Sequence, residues 1–146
     1  MSIESKLTEL GITLPEAPAP AANYVPWVIS GNLLFVSGQI SALKGRLGED
    51  LAVEQGAEAA RGCGLSLLAQ ARAALGSLDR VARVVKLGGF VNSTATFTDQ
   101  PEVVNGCSDL MVEVFGERGR HARAAVSAPS LPRGVAVEIE AIFEIA

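Results

Sequence analysis

The stretch HARAAVSAPSLPRGVAVEIEAIFEI, His121 to Ile145, decides how this chain is read. Ala122 to Ala128 is rich in small residues with a β-branched valine, Pro129 to Gly134 is turn punctuation, and Val135 to Ile145 alternates apolar with acidic, so two strands joined by a turn are predicted. The first carries a lone arginine, Arg123. On the second, Glu138 and Glu140 are two positions apart and share one face, while Val137, Ile139 and Ala141 take the other. If these strands pair, a fixed cation sits near a fixed carboxylate.

Working back from this end, the pattern is β-β-α-β-α-β-β behind a short helix. Tyr24 to Ser30 and Leu33 to Ser37 are apolar runs around Gly31-Asn32, a hairpin signal, and Ser41 to Asp50 reads as loop. Val53, Ala57, Ala60, Gly64, Leu68, Ala71 and Leu75 step by three or four along one face of a long helix that ends at Gly76. That face is made of small side chains, which lets the helix lie close to a sheet. Glu54, Glu58, Arg61 and Arg72 form a solvated opposite face with weak pairing along the helix. Leu78 to Val81 connects to a strand over Ala82 to Val91, interrupted by Gly88-Gly89, where a bulge or close backbone approach is expected. A second helix starts behind Asp99, which has capping-box spacing to Glu102 and a proline in the first turn, and stops at Gly116; Val104, Cys107, Met111 and Val114 are its inner side. Ser2 to Gly11 is a short amphipathic helix followed by a Pro/Ala-rich linker, Leu14 to Ala22, together expected to be an arm or lid rather than core. The prediction is one α+β domain over 1–146, with two helices on one face of a mixed sheet, residues 1–22 forming the N-terminal arm.

Composition bounds the function. With 146 residues the chain suits a single core. Its hydrophobic fraction of 49% and mean hydropathy of +0.32 are high, yet no apolar run approaches the roughly 18 residues of a membrane span, and no basic segment followed by an apolar one opens it. Surplus apolar surface then points to subunit contacts. A net charge of −4, with scattered Lys and Arg, offers a nucleic-acid backbone little attraction. Cys63 and Cys107 lie inside helical patterns and outside any CxxC, as expected of buried reduced thiols in a cytoplasmic protein. There is no metal-ligand cluster, P-loop or dinucleotide fingerprint, so neither metal nor cofactor is expected.

Ala-Arg-x-x-Val at Ala122 to Val126, Leu131-Pro132, and Val-Glu-Ile-Glu at Val137 to Glu140 resemble the signature of the YjgF/RidA family, also labelled L-PSP endoribonuclease-like. Tyr24-Val25 followed by GNLLFVSGQI, Gly31 to Ile40, resembles that family's first hairpin, and the likeness spans Tyr24 to Ile145. The resemblance is closest to the branch with a longer helix and a Phe-Gly turn. It implies a chorismate-mutase-like fold, a homotrimer with clefts between subunits, and hydrolysis of reactive 2-imino or 2-enamino acids to 2-keto acids and ammonia without a cofactor.

In that reading Arg123 grips the substrate carboxylate, a bidentate task suited to a planar guanidinium. Glu138 holds or activates the hydrolytic water, with a pKa lowered by the neighbouring arginine. Tyr24 closes over the substrate, and Ser37 and Gly38 of the Ser37-Gly38-Gln39 loop line the pocket. A site shared between subunits would draw Arg123 and Glu138 from one and Tyr24 from another. The residues alone also allow bland roles: Arg123 paired with Glu138 or Glu140 across the strands, Tyr24 as a half-buried wedge, and Ser37-Gly38 as loop shaping. His121 stands where the family usually has proline and reads as solvated. Ala124 and Ala125 replace residues that are usually polar, while Asn105 and Ser108 compete for the helix polar position. A carboxylate-binding regulatory protein is the alternative function, and an endoribonuclease or translation inhibitor ranks last.

Overall fold

A computed structural model describes residues 2–20 and 22–146. Met1 and Ala21 of the expected arm lie outside the described residues. The elements are α1 (Ile3–Glu9), β1 (Trp27–Ser30), β2 (Leu33–Ile40), α2 (Val53–Leu75), β3 (Val81–Asn92), α3 (Gln100–Phe115), β4 (Ala122–Ala128) and β5 (Val137–Ile145). The chain order and the α+β class agree with the sequence reading.

The C-terminal strands do not pair with each other. The sheet order is β1-β2-β5-β3-β4, so β3 lies between them, antiparallel to β5 and parallel to β4. A right-handed crossover through α3 favours placing β4 parallel beside β3, and β5 then fills the gap between β2 and β3. The expected juxtaposition of Arg123 with Glu138 or Glu140 across one strand pair is therefore overturned.

Helices α2 and α3 cover one face of the sheet. Leu67, Leu68, Val104, Leu110 and Met111 meet Leu34, Leu87, Ile139 and Phe143 in a continuous core. The small residues of α2 do more than approach the sheet, since they also admit α3. A Cβ on Gly106 would run into the Ala57 carbonyl, and one on Gly64 would meet Leu110 and Cys107. Charges on α2 pair with other elements instead of along the helix: Arg61 with Glu113 of α3 at 3.4 Å, and Arg72 with Glu4 of α1 at 3.2 Å.

Three further expectations change. Helix α1, capped by Ser2, is anchored to the core: Ile3 and Leu7 are buried, and the Ile3 N–H donates to Asp79 Oδ1 at 2.7 Å. The irregularities of β3 fall at Val81/Arg83 and Val84/Lys86, ahead of Gly88-Gly89. The glycine pair instead allows close approach, because a Cβ on Gly88 would meet Glu140 and one on Gly89 would meet Val104. At α3, Asp99 occupies the N-cap position but its side chain makes no capping bond.

Both thiols are buried and free. Burial, helped by nearby Glu138, pushes the Cys63 pKa up to about 12, and burial likewise raises that of Cys107. Since the thiolate is the reactive form, the folded protein is expected to resist a thiol-disulfide reagent at pH 8. Titration in denaturant should release both thiols; rapid reaction of the native protein would contradict this packing.

Candidate functional site

Two separate hollows hold the candidate residues, and no residue lines both. The first is a cleft of about 520 Å³ at the end of β2 and β5. Its roof is the proline-rich linker, including Pro18, Ala19 and Pro20, and its wall includes Tyr24, Gly38 and Glu138. Strand β2 shifts register between Val36 and Gln39, so Ser37-Gly38 forms the irregularity that makes room here. The Glu138 carboxylate lies against Gly38 where any Cβ would collide with it. A side chain at position 38 would push the Glu138 carboxylate out of this seat.

Burial raises the Glu138 pKa, and Glu140 on the same strand face adds to the effect. This reverses the expected lowering, which assumed a neighbouring arginine. Lining the same cleft are two residues the sequence reading missed as site components, Gln39 and Gln70. Gln70 Nε2 donates to the Pro18 carbonyl at 2.6 Å and approaches Gln39 Oε1 at 3.4 Å, tying α2 to the linker. The available signal was a lone carboxamide within the otherwise apolar run Leu67 to Ala71. Arg133 also reaches this cleft from a left-handed backbone conformation (φ 60°) in the turn before β5.

Ser37 stands apart from the cleft. Its hydroxyl donates to the Val25 carbonyl at 2.8 Å, pinning the segment that enters β1, and the residue lines a shallow hollow with Phe35, Lys86 and Glu140.

The second hollow is open and lies along β4 and α3. Arg123 is paired in register with buried Leu87 and turns toward the helix layer, opposite to Glu138 by strand alternation. Its Nη1 donates to Ser108 Oγ at 3.0 Å and its Nη2 to the Pro101 carbonyl at 3.2 Å. Among the described residues no carboxylate forms an ion pair with it. His121 is half-buried rather than solvated: Nδ1 is 2.6 Å from the Gly119 carbonyl and Nε2 is 2.8 Å from Ser108 Oγ. Burial lowers its pKa, and the Arg123 charge acts in the same direction against the Gly119 carbonyl. Asn105 lines the same hollow. One chain therefore unites Tyr24, Gly38 and Glu138, and separately gathers Arg123, Ser108 and His121. Among the described residues no cluster of His, Cys, Asp or Glu suits a metal, and no helix is long and apolar enough to cross a membrane.

This sheet with its two covering helices is the fold of a known family. Residues 4–143 match the family described as "YjgF/chorismate_mutase-like, putative endoribonuclease", and the chain belongs to it. Protein TCP17 of Trypanosoma cruzi is 52% identical, covering 98% of this chain and 94% of that protein. The RutC family protein y4sK of Sinorhizobium fredii is 33% identical over 92% of this chain and 96% of its own. Among solved structures, the protein Atu1372 of Agrobacterium tumefaciens, described as of unknown function, is 51% identical with a TM-score of 0.92, covering 99% of this chain and 92% of that one.

Proposed function

We propose that the protein hydrolyses small 2-imino and 2-enamino acids to 2-keto acids and ammonia at a site built by two copies of the chain. The carrying observation is a half-buried carboxylate, Glu138, with a raised pKa, held over Gly38 in a roofed cleft beside Tyr24. A raised pKa makes the ionised carboxylate a better acceptor for a proton from water. Water adds to C2 of the imine while its proton passes to Glu138. The carbinolamine then collapses, the C–N bond breaks, and nitrogen leaves as ammonia after receiving a proton.

Substrate charge needs a cation, and among the described residues no carboxylate forms an ion pair with Arg123. Since Arg123 and Glu138 occupy opposite sides of one sheet, a complete site takes Glu138, Gly38 and Tyr24 from one subunit and Arg123 from the next. This division replaces the one anticipated from sequence. The sheet face opposite the helices exposes Val28, Phe35 and Val126, apolar surface suited to burial in a homotrimer.

The test generates 2-aminoacrylate enzymatically and follows pyruvate and ammonia release. Acceleration by the native protein and a loss of roughly 100-fold or more in Arg123→Ala are expected for removal of a bidentate anchor. Mixing inactive Arg123→Ala and Glu138→Gln chains, after dissociation and reassembly, should restore part of the activity. Activity in a species that sediments as a monomer would refute the shared site. Saturable keto-acid binding without turnover would replace hydrolysis by the regulatory reading.

A further inference from the structure

We infer that Ser108 and His121 form a nucleophilic dyad able to cleave small activated esters, an activity distinct from imine hydrolysis and not dependent on it. The Gly119 carbonyl can only accept, so the 2.6 Å contact assigns the ring proton of neutral His121 to Nδ1. Nε2 is then a lone pair facing Ser108 Oγ at 2.8 Å, and the hydroxyl must donate to it. Arg123 Nη1 donates into the same oxygen at 3.0 Å. One serine oxygen thus has a base to take its proton and a cation to stabilise the resulting alkoxide, the arrangement that activates a serine nucleophile. A backbone carbonyl fills the orienting role that a carboxylate has in a triad.

Helix context sharpens the point. A serine within a helix commonly turns its hydroxyl back to the carbonyl four residues earlier, whereas Ser108, inside α3, directs its bonds to His121 and Arg123 of the adjoining segment. It lines an open hollow that an ester could enter. The remaining guanidinium N–H groups of Arg123 are donors for the oxyanion.

The chemistry closes on itself. Ser108 Oγ attacks the ester carbonyl carbon as its proton moves to His121 Nε2. The C–O bond to the alcohol breaks, and the leaving oxygen takes that proton. Water, deprotonated by His121, then attacks the acyl-serine, releasing the acid and returning the proton to Ser108 Oγ.

The probes are p-nitrophenyl acetate and an alkyl fluorophosphonate, applied to the full chain. The expected result is a fluorophosphonate adduct on Ser108 by peptide mass spectrometry, with at least a 100-fold lower ester rate in both Ser108→Ala and His121→Ala, the scale of a lost general base. The native rate should persist to lower pH than for an ordinary imidazole, because burial and Arg123 keep His121 neutral there; Asp109, Glu113 and Arg120 also face this hollow. Circular dichroism establishes that each variant is folded. As a second variant, Ser108→Cys should react with a thiol-disulfide reagent at pH 7 faster than free cysteine, and His121→Ala in that background should slow it. A folded native protein with no Ser108 adduct, an ester rate unchanged in Ser108→Ala, or an unreactive Cys variant would each overturn the dyad.

Discussion

Gly106→Val is expected to lower the stability of the fold by about 3 kcal/mol or more, as overpacking against an immovable neighbour does. The glycine hydrogen on α3 points at the main chain of α2, and the first atom of any side chain would strike the Ala57 carbonyl. Backbone cannot rotate away as a flexible side chain can. The helices would have to separate, opening contacts among Val103, Cys107, Leu110 and the α2 residues around Gly56 and Gly64. For a chain of this size the loss corresponds to a fall of roughly 6–12 °C in the melting midpoint, read by differential scanning calorimetry. A midpoint within a degree of the native protein would show that the two helices are not in contact here.

Glu138→Gln separates function from stability. If Glu138 is the base for water, imine hydrolysis should fall about 100- to 10,000-fold while substrate binding changes little. In the native protein the rate should rise with pH as the acid ionises, at a pH above that of an ordinary carboxyl because burial and Glu140 raise its pKa. The linkage sign follows from the same shift. A carboxyl whose folded pKa is raised favours the folded state fully below its unfolded pKa, and that contribution is lost as pH rises through the folded pKa. Glutamine carries no charge to desolvate, so the variant should unfold no more easily than the native protein at neutral pH. A large loss of both stability and activity in urea titrations and the coupled assay would assign Glu138 a structural role instead.

Much of the architecture was legible because it rests on period and punctuation. The three-to-four step of small residues found α2 through to its glycine stop, and the alternation around Glu138 gave the buried face of β5 correctly. Strand order was not legible, since local pattern carries no information about which strand lies between two others. That gap misled the electrostatics, because an arginine assumed adjacent to Glu138 turned out to face the other side of the sheet. Ser37 had the right motif but a hydroxyl already engaged by the Val25 carbonyl, which only the geometry of β1 and β2 reveals. His121 looked solvated on composition, yet the fold sets it between Gly119 and Ser108. Gln39 and Gln70 are far apart in sequence, and only the packing of α2 beside the end of β2 makes them line one cleft.

Strand β5 follows every other element in chain order, yet it occupies the middle of the sheet. During synthesis, β2 and β3 must therefore wait with bare hydrogen-bonding edges until the final strand emerges and slots between them. Such a late, long-range closure is slow and leaves the nascent protein open to edge-to-edge association. Ribosome-bound chains arrested before Val137 should consequently be protease-sensitive throughout, with resistance appearing in one step once β5 is free of the exit tunnel.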